Sequence, residues 1–253
     1  SVPLGSRVYR YTWTGTALTS PQMLLSIPVG SQAGGETGTM TFGADGKLYL
    51  TSGDTGGSSQ TKNIVGGSAP DDTNVVFRLN PDGTAPSDNP FFAAGGKLAR
   101  YYAYGVRSST GIAFDPVNGA AWVIDQGINL YDEINLAKPG FNSGSSKLRG
   151  PMSRQTSTPT LVNFAGSAYR DPAFSWLKPV VPGAMSFLPS DALGDHYRNH
   201  LFVGAGDGNL YRFKPNTARN GLVFLSAGMQ DRVADNDTEA SESLFGVGFG
   251  AIS

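Results

Sequence analysis

Arg107 is the residue in this chain best placed to do chemistry. It lies in YAYGVRSSTGIAFDP, from Tyr102 to Pro116, between two apolar runs and close to a glycine. An acidic pair, Asp132 and Glu133, begins 25 residues later, behind a second glycine turn. A planar guanidinium grips paired oxygens, and carboxylates are the oxygen donors that hard cations take. One segment therefore presents a fixed cation and the next presents clustered oxygen ligands. That combination suits an anionic cofactor or substrate held beside a hard metal ion such as calcium.

Other groups make weaker cases. His196 and His200 are four apart, a metal-binding spacing on a helix, but GDHYRNHLFVG reads as a loop entering a strand, where the two rings do not converge. DNDTE, from Asp235 to Glu239, starts like a calcium-binding loop but has Ala240 at its sixth position and Gly246 at its twelfth, so it reads as a polar loop. NDT at Asn236 to Thr238 is a glycosylation sequon, meaningful only on a eukaryotic secretory route. There is no phosphate-binding loop, dinucleotide glycine motif or nucleophile elbow. The absence of cysteine excludes disulfides, thiolate metal sites and cysteine nucleophiles. A net charge of −1 gives no electrostatic case for nucleic acid, and no apolar run is long enough to span a membrane. The chain shows no charged-then-apolar leader, and it begins with Ser1, as a processed chain or a fragment would.

The elements that position Arg107 follow from composition and repetition. The 253 residues, 39% of them hydrophobic, can form one domain over 1–253, and 34 Gly with 16 Pro divide it into many short elements. Three segments share an aliphatic-aromatic-Arg-apolar pattern: VYRY from Val8, VFRL from Val76, 68 residues on, and LYRF from Leu210, a further 134. A second pattern keeps nearly the same period. FGADGKLY starts at Phe42, FDPVNGAAW at Phe114, 72 residues later, and FLPS at Phe187, another 73, with Leu201 and Phe202 following after an insertion. A Phe strand, a turn and an aromatic-ended strand predict an antiparallel hairpin, and hairpins at constant period predict blades of a β-propeller. The expected fold is all-β, an incomplete propeller of about 3.5 to 4 four-stranded antiparallel blades. Residues 229–245 are polar and free of glycine and proline, which suggests a loop or short helix.

The segment 102–142 resembles the glucose/sorbosone dehydrogenase family, soluble six-bladed propellers that use pyrroloquinoline quinone (PQQ) and calcium. YAYGVRSSTGIAFDP, DQGI from Asp125, DEIN from Asp132 and GFNSG from Gly140 follow the order and spacing of the family's motifs. MTFGADGKLYLTSGD, from Met40 to Asp54, and FGVGFGAIS, from Phe245, are similar to its flanking blades.

The resemblance implies a role for each matching residue. Arg107 faces the cofactor's carbonyl oxygens. Gly127 offers a backbone carbonyl to calcium. Glu133, with Asp132 beside it, binds a structural calcium. Asp54 orients a proton acceptor, which in the family is a histidine 19 residues upstream; Gly35 stands there, with Glu36 adjacent. A glutamate base would need its pKa raised by burial. The chain also has Ser108 for the family's Asn, Ile128 for Pro, Ser143 for Tyr, Gly206 for Lys, and Ala251 and Ser253 for paired arginines. The expected function is oxidation of an aldose or related sugar with PQQ and calcium, in the periplasm or outside the cell. The alternatives are a non-catalytic propeller that binds a carbohydrate or protein partner, and a calcium-dependent lactonase.

Overall fold

The computed structural model describes residues 5–30 and 38–252. Gly35 and Glu36 lie outside the described residues, as does Ser253. The strands, in chain order, are β1 (Gly5–Trp13), β2 (Leu18–Pro28), β3 (Met40–Phe42), β4 (Leu48–Ser52), β5 (Val75–Leu79), β6 (Tyr101–Tyr104), β7 (Ile112–Phe114), β8 (Ala121–Asp125), β9 (Asp132–Ala137), β10 (Phe141–Asn142), β11 (Ala168–Tyr169), β12 (Phe174–Trp176), β13 (Pro182–Phe187), β14 (Leu201–Ala205), β15 (Leu210–Pro215), β16 (Leu222–Val223), β17 (Val233–Ala234) and β18 (Leu244–Gly246). A short α-helix, α1 (Asp237–Ala240), precedes β18.

The strands form a two-stranded ribbon, β1-β2, and three larger sheets. Their orders are β11-β10-β6-β5-β4-β3, then β17-β12-β9-β8-β7, then β13-β14-β15-β16 with β18 also on β15. Each sheet contains one antiparallel run of four, β3 to β6, β7-β8-β9-β12, and β13-β14-β15-β18. The first strands of these runs are neighbours, β3 against β7 and β7 against β13. The three repeated hairpins form where the periodicity places them, pairing Phe42 with Leu48, Phe114 with Ala121 and Phe187 with Leu201.

The ribbon and sheets stack face on face, with a core in each gap. Leu25 and Ile27 pack with Leu50, Phe77 and Tyr101. Tyr49, Val76 and Tyr102 pack with Ile112 and Val123. Trp122, Phe174 and Trp176 pack with Leu201, Tyr211 and Phe213. The two inner sheets are covered on both faces, which explains why VVFRL and AWVID read as continuous runs and are buried throughout. A recurring turn device helps set the register. In DGKLY and DGNLY the aspartate accepts the N–H two residues on, Lys47 to Asp45 and Asn209 to Asp207, and the hydroxyl four residues on, Tyr49 and Tyr211. This is an Asx turn that a tyrosine ties to its own strand.

Within 229–245 the short helix forms with Asn236 as its N-cap, accepting from the Glu239 N–H. The segment also contains a buried strand, β17, which pairs in parallel with Ser175 and Trp176. A two-residue apolar step, Val233–Ala234, is too short to give a periodic signal in the sequence.

Candidate functional site

Three connections converge on one end of the inner sheets: the segment after β4, the β6–β7 link and the β8–β9 turn. Asp54, Arg107 and Gly127 lie on these three. The Asp54 N–H donates to the Arg107 carbonyl at 2.8 Å, and Arg107 Nη1 donates to the Gln126 carbonyl at 3.2 Å. Arg107, Asp125, Gln126, Gly127, Tyr131 and Arg149 are among the residues that line a small cleft of about 50 Å³.

The backbone of Arg107 is fixed by a residue to which the sequence reading gave no role. Asp125 accepts the N–H groups of Arg107 (2.9 and 3.1 Å) and Ser108 (2.9 Å). It is buried at the end of β8, and desolvation, opposed by these donors, pushes its carboxyl above the usual range. A carboxylate closing an apolar strand, as in AWVID, was the available signal, because a buried acid must find donors.

Asp54 is half-buried, and Lys62 Nζ holds both its carboxylate oxygens, at 2.8 and 2.9 Å. Oδ1 also accepts the Gly56 N–H. Lys62 follows the turn GGSSQT, and no pattern in the sequence pointed to it.

Asp132 and Glu133 do not converge. They are adjacent on β9, and adjacent side chains on a strand leave opposite faces. Asp132 is a latch: Oδ1 accepts the Gly127 N–H and Oδ2 accepts those of Val180 and Val181, all at 2.8 Å. Gly127 has no room for a side chain, since a Cβ there would sit 2.0 Å from the Leu130 carbonyl oxygen. Glu133 accepts the Gly150 N–H on Oε1, and the Asn135 amide and Ser143 hydroxyl on Oε2. It lies directly across the ladder from Asp125. Burial, and then the charge of Asp125, push the Glu133 carboxyl upward. The two carboxyls titrate as a pair, and one proton between them relieves the repulsion.

Tested against a bound group, the described residues by themselves complete neither a calcium site nor an enclosed quinone site. No cluster of three or more acidic or histidine side chains among the described residues is arranged to hold a metal. The oxygens of Asp132 and Glu133 are directed at hydrogen-bond donors instead. A cleft of about 50 Å³ is far below the roughly 300–1,000 Å³ of small-molecule sites. Gly206 and Ala251 supply no charge for a carboxylated ring system. The described residues form one wall, with Arg107 as its cation.

An all-β fold of neighbouring antiparallel sheets, with an arginine and a glycine turn at one end, is the fold of a known class of proteins. The model of that class, Glucose / Sorbosone dehydrogenase, matches residues 4–243. The chain belongs to this family. It is 33% identical over 159 residues to quinoprotein glucose dehydrogenase B of Acinetobacter calcoaceticus, covering 57% of this chain and 32% of the relative. The crystal structure of a glucose dehydrogenase superposes with a TM-score of 0.68 at 22% identity, over 87% of this chain and 62% of that one. The PQQ-bound form of aldose sugar dehydrogenase from Streptomyces coelicolor gives 0.59 at 22% identity, over 89% and 60%. The chain thus spans about a third of the Acinetobacter relative and about three fifths of the solved chains. No helix among the described residues is long and apolar enough to cross a membrane.

Proposed function

We propose that this chain carries the arginine wall of a quinone-dependent oxidoreductase that acts on an aldose or related small sugar, in the periplasm or outside the cell. In this reading the three four-stranded runs are three blades of a six-bladed propeller, and the β1-β2 ribbon is the outer half of a fourth. The observation that carries it is the hydrogen-bonded chain from Asp54 to Arg107 to the Gln126–Gly127 turn, in a fold shared with glucose dehydrogenases. Fixed by Asp125 and Asp54 through its backbone, Arg107 offers a preorganised positive charge to an electron-rich ligand. Of the cofactor contacts that the family resemblance assigns, Arg107 is the charged one this wall keeps.

The test is retention of PQQ by the protein, expressed from its whole reading frame, after dialysis with and without calcium. PQQ absorbance should be retained by the wild type and lost in Arg107→Gln. A second reading, a non-catalytic propeller that binds a carbohydrate or protein partner, is favoured by the Lys62 clamp that occupies both oxygens of Asp54. No retained PQQ in the wild type would select it.

A further inference from the structure

The arginine of the repeated aliphatic-aromatic-Arg-apolar strand meets a different fate in each copy. On β5, Arg78 is buried and saturated: it pairs with Asp45 at 2.9 Å and Asp88 at 2.8 Å, and donates to Asn89. On β1, Arg10 donates to the Pro81 carbonyl and to Gln22. On β15, Arg212 has no carboxylate partner among the described residues. Its guanidinium lies over the Tyr197 ring, 5.7 Å from the centroid, with Nη1 at 3.5 Å from His200 Nδ1. The side chain of Lys214, two residues on and on the same face of β15, has no hydrogen bond or ion pair among the described residues.

Both cations border a cavity of about 230 Å³, outside the Arg107 cleft. Its other walls are His196, Phe213, Val223, Phe224 and Leu225, with Glu242 and Ser243. Leu225 is 87% exposed and Val223 39%. Glu242 is the one carboxylate on the wall, and it is occupied: its oxygens accept the Leu225 and Ser226 N–H groups and the Ser226 hydroxyl. It therefore closes the 225–226 turn and neutralises neither cation directly. With two cations against one hydrogen-bonded carboxylate, the wall carries a net positive charge. Buried His200 has its pKa depressed to about 4, by desolvation first and then by the charges of Arg212, His196, Lys214 and Arg219. The same crowd of cations explains why the His196–His200 pair does not suit a metal ion.

A guanidinium held by stacking, an ammonium beside it and an apolar wall form a receptor for an anion carried on an apolar body. We propose that this cleft binds a small organic oxyanion, a carboxylate or phosphate ester, gripped by Arg212 and Lys214 with its apolar part against Val223, Phe224 and Leu225. The site is separate from the Arg107 wall, so its fate does not depend on the proposed oxidoreductase activity.

Calorimetry on the whole protein at low salt, with 3-phenylpropionate, phenyl phosphate and inorganic phosphate as probes, tests this. At least one phenyl ligand should bind saturably; the stronger of the two tells carboxylate from phosphate ester. Inorganic phosphate should bind at least about tenfold more weakly, since it lacks the apolar contact. Arg212→Gln and Lys214→Gln should each weaken the phenyl ligand by about tenfold or more, while Arg107→Gln leaves it unchanged. Lys214 is exposed, so its variant keeps the test valid if loss of the Arg212 stack disturbs folding. The His196 ring resonances should shift on binding. Absence of saturable binding up to about 10 mM, or binding that both variants retain, would overturn the proposal. Inorganic phosphate binding as tightly as the phenyl ligands would overturn the apolar half.

Discussion

Replacing Glu133 by glutamine is expected to make the protein more stable near pH 8 and to leave it unchanged near pH 4. Asp125 and Glu133 face each other across the β8–β9 ladder and both are buried. Directly paired residues in a ladder have Cβ atoms about 5 Å apart, and two like charges at that distance repel by about 3 kcal/mol at an effective dielectric constant of about 20. The donors from Gly150, Asn135 and Ser143 return part of this to the ionised form. The net gain on removing the charge is then about 2 kcal/mol. Glutamine can keep the network. Its oxygen takes the Gly150 N–H, and its amide needs an acceptor; Asn135 Oδ1, buried and without a partner, provides one if the Asn135 side-chain amide flips. The pH dependence has a definite sign. Glu133 has a folded-state pKa raised above its unfolded value. Its contribution is therefore fully present below about pH 4.3 and is lost as pH rises through the folded value. The variant lacks that loss. Thermal melts from pH 4 to 9 should show a Tm gain of about 4–8 °C at pH 8 that shrinks to nothing at pH 4. A variant less stable than wild type at pH 8 by more than about 1 kcal/mol would refute the reasoning, because it would mean that Glu133 is ionised and paired there.

The Asp132 latch and the glycine turn it holds give further expectations. Asp132→Ala strands three backbone N–H groups, and denaturant melts should show a loss of about 3 kcal/mol or more. Gly127→Ala drives a methyl into the Leu130 carbonyl, so the 127–131 turn must shift. Its signature should be loss of ligand binding at the Arg107 cleft greater than the loss of stability, read by dialysis binding and melts on one preparation.

The parts legible in the sequence were those that repeat or punctuate. Phe42, Phe114 and Phe187 each open a hairpin because a Phe strand, a tight turn and a second apolar strand are local, and local order needs no knowledge of neighbours. Arg107 stood out because a cation between apolar strands has few ways to be accommodated, and in the structure it lines a small cleft. The roles of Asp132 and Glu133 were not legible from their adjacency. Strand alternation sends them to opposite faces, one to bind loop N–H groups and the other to confront Asp125. Lys62 was hidden because its ion pair with Asp54 is set by a loop path that no periodicity encodes. The repeated arginines show the same limit: Arg78 and Arg212 share a motif, yet only tertiary contacts decide which is paired and which faces a cleft.

Dye-linked oxidation of glucose and other aldoses by the whole protein, with PQQ and calcium supplied, probes the Arg107 wall most directly. Sugar-dependent turnover should occur in the wild type and fall by about a hundredfold or more in Arg107→Lys with an unchanged melting temperature, because a point charge cannot replace the planar fork whose Nη1 donates to the Gln126 carbonyl. Turnover that is indifferent to Arg107, or absent from wild-type protein shown to hold PQQ, would contradict it.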